Sequence, residues 1–95
     1  MVYVDTPRKV FFKGRECTTA HCTADTLEEL HAFARSLGVP SRCFENKPGK
    51  PHYDLFDDFV ELARRSGALM VERKVFVAII RLRYGSNQCQ CGKKQ

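Results

Sequence analysis

No apolar run in this chain approaches the roughly 20 residues that a membrane-spanning helix needs, so no membrane partner is expected. The first twelve residues, MVYVDTPRKVFF, carry an acid at Asp5 and no long apolar stretch, which argues against a secretory signal. A disulfide framework is missing too: the five cysteines are odd in number and irregularly spaced. Free thiols and a cytoplasmic location follow as expectations. There is no glycine-rich phosphate loop, no nucleophile elbow and no Cys/His pattern of a known hydrolase. Clean metal-ligand pairs are also wanting. His21-x3-Asp25 and His52-x-Asp54 offer ligand pairs, and Cys89-x-Cys91 with Cys17-x3-His21 would make a four-ligand set, but none is a zinc signature. No metal site is assigned on this basis, and the cofactor stays open.

What remains is a chain of 95 residues, enough for one domain with a modest core. The boundary reads as a single compact domain over 1–85 and a flexible polar tail over 86–95, which holds Cys89 and Cys91. The net charge is +5 and evenly spread, with eight Lys+Arg in each half against six and then five Asp+Glu. Such a surface either is merely well solvated or attracts an anion.

The elements can be read in order. Val2–Val4 and Val10–Phe12 are short β-prone runs with a turn at Lys13-Gly14, and Glu16–Ala24 continues as a strand. Along that strand His21 and Thr23 share one face, and Cys22 and Ala24 the other. Thr26 and Glu29 form a capping box for a helix over Leu27–Leu37, with a stripe at Leu27, Leu30, Ala34 and Leu37 and a stop at Gly38 and Pro40. Ser41–Glu45 reads as a short strand and Asn46–Pro51 as a loop. A second helix, about Asp57–Ser66, has Phe56, Phe59, Val60, Leu62 and Ala63 for its buried side, with acids first and Arg64 and Arg65 last. Leu69–Val71 and the long run Val75–Tyr84 read as strands. The fold class is therefore α/β (α+β): a small mixed sheet of about four strands with two helices packed on one face.

All three histidines, His21, His31 and His52, fall between Ala20 and Leu55, together with Asp25, Tyr53 and Asp54. Histidine and carboxylate suit acid–base work or a metal. Each also has an ordinary reading: His31 beside the apolar stripe as a packing residue, Asp25 and Asp54 as helix caps, Tyr53 as core with a wet hydroxyl. Glu28–Gly38 aligns with Asp57–Gly67 at an offset that also puts Asp25 on Asp54. Both aspartates would then stand just before helices, where anions bind.

Tyr3–Asp5 (YVD), His21–Thr26 (HxxADT), Glu29–Ala34 (ELHAFA), Pro51–Leu55 (PHYDL) and Gly67-Ala68 resemble the small domain-of-unknown-function family 4031 of bacteria and their phages. The resemblance covers about residues 2–72. It implies one α/β domain of phage or bacterial source, and the host cytoplasm as its place of action if phage-encoded, but no established activity. Val60 stands where the family usually has an arginine, and the chain beyond Arg73 reads as its own.

The function expected is binding of a small anionic, nucleotide-like ligand in a pocket lined by His21, Asp25, His31, His52, Tyr53 and Asp54, with action on a host signal or defence if phage-encoded. One alternative is a small metal-dependent hydrolase using the same residues. The other is a nucleic-acid or host-protein-binding inhibitor acting through a basic surface at Arg81, Arg83 and Tyr84. Whether it is an enzyme and whether it self-associates are left open.

Overall fold

The computed structural model describes residues 1–85. Its order is β1 (Val2–Val4), β2 (Arg8–Phe12), β3 (Arg15–Ala24), α1 (Leu27–Leu37), a 3₁₀ turn (Ser41–Cys43), β4 (Phe44–Lys47), β5 (Lys50–Phe56), α2 (Asp58–Arg65), β6 (Leu69–Met70), α3 (Arg73–Ile80) and a π-helical turn (Arg81–Gly85). The class is the expected one, a mixed sheet with helices, but the described residues hold six strands and three helices. The sheet order is β4-β5-β3-β1-β6, all antiparallel except β1 with β6. β2 pairs with the first half of β3. No helix among the described residues is long and apolar enough to cross a membrane.

Helix α1 has the expected bounds and one arm of the expected capping box, since the Glu29 carboxylate pairs with the N-terminal amine rather than the Thr26 N–H. The Thr26 hydroxyl accepts from the Glu29 N–H at 3.1 Å, and Gly38 takes the left-handed turn at φ 82°. Leu30 and Ala34 are buried, Phe33 and Leu37 pack against the core, and Leu27 stays largely exposed one turn before it. Helix α2 buries Val60 and Ala63. Leu62 is exposed, and Phe56 is still in β5, facing Phe12 on the other side of the sheet. Together α1 and α2 cover one face, closing a core over Val2, Val4, Ala20, Cys22, Ala24, Tyr53 and Leu55.

Two stretches depart from the sequence reading. Asn46–Pro51 is not a loop but the tip of a hairpin. Pro48-Gly49 make its two-residue turn, with Gly49 at φ 74°, and Lys47 pairs with Lys50. That chemistry, proline followed by a glycine at positive φ, is the one a tight turn needs. Pro51 fits inside β5 because pairing to β3 begins only at Tyr53. Ser41–Cys43 is correspondingly a 3₁₀ turn ahead of β4.

The second departure is Val75–Tyr84, which is helical rather than a strand. Its β-branched residues suggest a strand, but Arg73, Phe76, Val77, Ile80 and Arg81 recur at helical spacing, and all five line one cavity. Burial of Phe76 and Ile80 against the second face of the sheet outweighs local β propensity. The sheet is thus covered on both faces. The tail over 86–95, with Cys89 and Cys91, lies outside the described residues.

Candidate functional site

The site grows from one extra residue. On β3, Thr19 pairs with Arg8 and Cys22 with Val4, so two residues of β3 face three on the other side, Asp5, Thr6 and Pro7. This is a β-bulge, and Pro7, with no N–H, cannot continue a ladder there. The bulge turns the Asp5 carboxylate inward in place of a backbone acceptor. The Asp5 N–H donates to the His21 carbonyl at 3.0 Å, while the His21 N–H donates to Asp5 Oδ1 at 2.7 Å. Asp5 Oδ2 then holds the His21 ring at Nδ1, 2.8 Å away.

Asp5 is 2% exposed. Burial alone would raise its pKa, but the two hydrogen bonds from His21 and the charge of Arg73 outweigh it and hold the carboxyl below the ordinary aspartate range. It is therefore an ionised, buried carboxylate at neutral pH, and His21 Nδ1 carries the proton that it accepts.

Strand alternation brings the rest. His21 is the cross-strand partner of Asp54, and His52 lies two residues before Asp54 on the same face. The His21 and His52 rings meet edge to face at 5.0 Å between centroids. His52 Nδ1 donates to the Lys50 carbonyl at 2.8 Å. Both rings thus point Nε2 at Asp54: Oδ1 is 3.4 Å from His52 Nε2 and 3.7 Å from His21 Nε2. One ligand atom from each of the three lies within 4.8 Å of the others, a spacing that could hold a metal ion.

Helix α3 roofs this cluster. Phe76 stacks obliquely over His21 at 6.2 Å, and Phe76, Val77 and Ile80 form an apolar wall. The cavity between them is about 190 Å³ and is also lined by Asp5, Lys50, His52, Arg73 and Arg81. An apolar cavity of about 150 Å³ holds a benzene ring. This one has room for a group of a few heavy atoms and is too small for a whole nucleotide. Three cationic side chains, Lys50, Arg73 and Arg81, line it and are exposed enough to meet a ligand from solvent. Asp54 also lines a second pocket, of about 450 Å³, with Phe12, Cys17 and Phe56.

The six residues expected to share one pocket fall into three places. His21, His52 and Asp54 converge. His31 and Tyr53 do not: Tyr53 points to the opposite face of β5, where its hydroxyl meets His31 Nδ1 at 2.8 Å in an aromatic group with Phe44. Asp25 stands where β1 begins, accepting from the Tyr3 hydroxyl at 3.0 Å and Arg83 Nε at 2.9 Å, with the N-terminal amine 3.5 Å away. Burial raises its pKa, but Tyr3, Arg83 and the amine together lower it below the ordinary value. Asp54 is not a helix cap either. It lies within β5, and Asp57 holds the cap position, so the alignment of Asp25 with Asp54 has no structural counterpart.

The strand face imagined for Arg81, Arg83 and Tyr84 is likewise absent, since the segment is helical. Arg83 is paired with Asp25, and the Tyr84 hydroxyl donates to the Ala24 carbonyl at 2.6 Å. A thiol nucleophile finds no support at Cys22, whose pKa burial pushes up to about 12.

Asp5, Lys50, Arg73 and Phe76 were missed in the sequence, and Arg81 was assigned to a basic strand face instead of this cavity. A proline two residues after an aspartate that closes a β-prone run was the available signal for Asp5. The helical recurrence of residues 73, 76, 77, 80 and 81 was the signal for the roof.

A family model described as a protein of unknown function (DUF4031) matches residues 2–83, and the chain belongs to that family. The match runs past Arg73, so α3 is part of the family domain and not an addition peculiar to this chain. No curated protein and no solved structure matches.

Proposed function

We propose that this chain binds a small anionic ligand, through a phosphate- or carboxylate-type group, in the cavity between α3 and the His21–His52 face of the sheet. One observation carries the reading: a small cavity with an apolar wall has, among the described residues, three cations and no acid but Asp5 in its charged lining. Asp5 is already committed to His21. Apolar wall, few polar groups and convergent charge are the marks of a small-molecule site. The volume restricts the buried part to the anionic headgroup, so a nucleotide-like ligand would leave its base outside, against Arg73 or Arg81. A phage-encoded chain of this kind would act in the host cytoplasm by sequestering or altering a host signal.

The test is thermal denaturation of the purified chain against a panel of inorganic phosphate, small carboxylates, sugar phosphates and nucleoside monophosphates. A ligand selective for the folded state raises the melting temperature by mass action, corresponding to about 2.7 kcal/mol at a hundredfold excess over Kd. Arg73→Ala with Arg81→Ala should abolish that rise and keep the wild-type fold, with at most a small loss of unliganded stability from the charge that Arg73 lends Asp5, since both side chains are exposed. Equal protection of this double variant would tell against the cavity.

A second reading is favoured by the Asp5–His21 pair, because a buried carboxylate on Nδ1 leaves Nε2 as a base. A ligand recovered chemically altered would select a hydrolase; recovery unchanged would select a binder. The basic-surface reading keeps only its net charge in support, with Arg83 and Tyr84 already engaged.

A further inference from the structure

We infer that His21 Nε2, His52 Nε2 and a carboxylate oxygen of Asp54 form a three-ligand site for one divalent transition-metal ion of the zinc class. It deepens the anion-binding reading, on which it rests for the occupant of the metal's open position. The argument starts from where the protons are. A backbone carbonyl only accepts, so His52 Nδ1, 2.8 Å from the Lys50 carbonyl, must donate. Asp5 takes the His21 N–H on Oδ1 and lies with Oδ2 2.8 Å from His21 Nδ1, the arrangement of a carboxylate accepting from both, so His21 Nδ1 donates as well. In neutral rings both Nε2 atoms then carry lone pairs, and both face the Asp54 carboxylate.

Three acceptors converge with no donor among them. A cation at their centre would satisfy all three at once. A proton shared as an N–H···O bond is a poor fit, because 3.4 and 3.7 Å lie beyond the usual range of about 2.7–3.2 Å. A tetrahedral ion with bonds of about 2.0–2.1 Å sets its ligand atoms about 3.3–3.4 Å apart, close to the two His–Asp54 spacings of 3.4 and 3.7 Å. Two imidazoles and one carboxylate select a borderline ion over magnesium or calcium, which prefer oxygen throughout.

The surroundings are those of a built metal site. The ligands stand on adjacent paired strands, where register holds His21 opposite Asp54. Each imidazole has its remote nitrogen tied to an acceptor, the second layer that fixes tautomer and ring orientation around metals. Asp5 is by this account a positioning residue that never touches the ion. Three protein ligands leave a fourth position, and the cations Lys50, Arg73 and Arg81 line the same cavity. An anion entering there would meet the ion on one side and the arginines on the other.

The experiment titrates cobalt(II), as a coloured probe of the metal alone, into the full-length chain at neutral pH. One equivalent should give the visible absorption of a four- or five-coordinate site. His52→Ala and Asp54→Asn should each weaken cobalt binding at least about 100-fold, with the far-ultraviolet circular dichroism of the wild type retained. Asp5→Asn should weaken it about 10–100-fold. In that variant the amide N–H donates to His21 Nδ1 and moves the ring proton to Nε2. A long-range ¹H–¹⁵N spectrum of the histidines then shows a changed tautomer at His21 alone, which a merely structural role would not produce. Cys89→Ser with Cys91→Ser should leave the cobalt spectrum unchanged.

No spectrum at one equivalent would overturn the inference. So would undiminished binding by both His52→Ala and Asp54→Asn, or a spectrum lost with the two cysteines. Phosphate protection measured on the metal-free chain keeps the two readings apart. Protection without cobalt binding sinks only the metal site, whereas cobalt binding that phosphate neither tightens nor perturbs sinks only the anion reading.

Discussion

Asp5→Ala should be among the most damaging single changes outside the α1–α2 core. The carboxylate accepts two hydrogen bonds from His21, one from the backbone N–H at 2.7 Å and one from Nδ1 at 2.8 Å. Bonds to an ionised acceptor contribute about 1.5–3 kcal/mol each, and a buried N–H left without an acceptor costs about 1–3 kcal/mol. Against this, alanine removes the cost of burying a charge, so the net loss is about 3 kcal/mol. In a domain of this size each kcal/mol moves the melting temperature by roughly 4–8 °C, so the drop should be roughly 12–24 °C. Asp5→Asn keeps an acceptor for the His21 N–H and should lose only about 1–1.5 kcal/mol. The assay is chemical denaturation at neutral pH, with m-values compared to establish that the denatured states match. Equal stabilities for wild type and Asp5→Ala would refute the bulge as the element that organises this face. Equal losses for alanine and asparagine would show that charge, not the acceptor to His21 N–H, is what matters.

Other outcomes follow from the same contacts. Leu30, with no exposed surface, should cost about 2–5 kcal/mol on substitution by alanine, read from the urea midpoint. Thr26→Ala removes the acceptor for the Glu29 N–H and should cost about 1 kcal/mol; an unchanged midpoint would mean that water replaces the cap at no loss. Lys13 takes φ 54° ahead of Gly14 at φ 77° in the β2–β3 turn. Lys13→Asn should therefore stabilise by up to about 1 kcal/mol, and a lowered melting temperature would count against the strain. The pKa of Asp57 is lowered by the Thr18 N–H and by Arg15. A depressed carboxyl pKa adds stability above its unfolded value, about 4, that disappears as the pH falls through the folded value. Asp57→Asn should flatten the acid limb of stability against pH, and identical limbs would dismiss these contacts.

How far the sequence spoke for the fold depended on the range of the forces involved. Helix α1 was legible to its end residues because its cap, stripe and stop are all local: Thr26 to Glu29, Leu30 to Ala34, then Gly38. The run Val75–Tyr84 was not, because local propensity and tertiary burial disagree there. Its β-branched residues favour a strand in isolation, yet the sheet already has β6 on its edge beside β1, while the face bearing His21 lacks a cover. Burying Phe76 and Ile80 on that face stabilises by about 1.5–3 kcal/mol each, more than the β-propensity scale of about 1 kcal/mol can oppose. Pro48-Gly49 misled for a different reason. The pair was rightly read as punctuation, but two residues were enough to turn the chain, and four of the six residues around it belong to strands.

The site was half legible, and the division follows strand periodicity. His21, His52 and Asp54 could be nominated by residue type, and pairing of β3 with β5 puts them on one face. Once His52, Tyr53 and Asp54 are known to lie in a strand, alternation requires Tyr53 to leave that face, taking His31 with it to the other side. Asp5 could not be nominated this way. In a regular ladder its backbone carbonyl would accept the His21 N–H and its side chain would have no special task. Only the mismatch of three residues against two between the Val4 and Arg8 pairings turns the carboxylate to that N–H and to Nδ1. That count joins residues 16 positions apart and cannot be made before the register is known. An inserted or deleted residue between Asp5 and Arg8 should therefore unseat His21 more severely than any substitution in β2. Deleting Thr6 should restore regular pairing, keep the sheet and release the His21 ring, which would appear as a changed His21 tautomer equilibrium in the ¹⁵N spectrum. An unaltered His21 signal in that deletion would show that the carboxylate finds Nδ1 without the bulge.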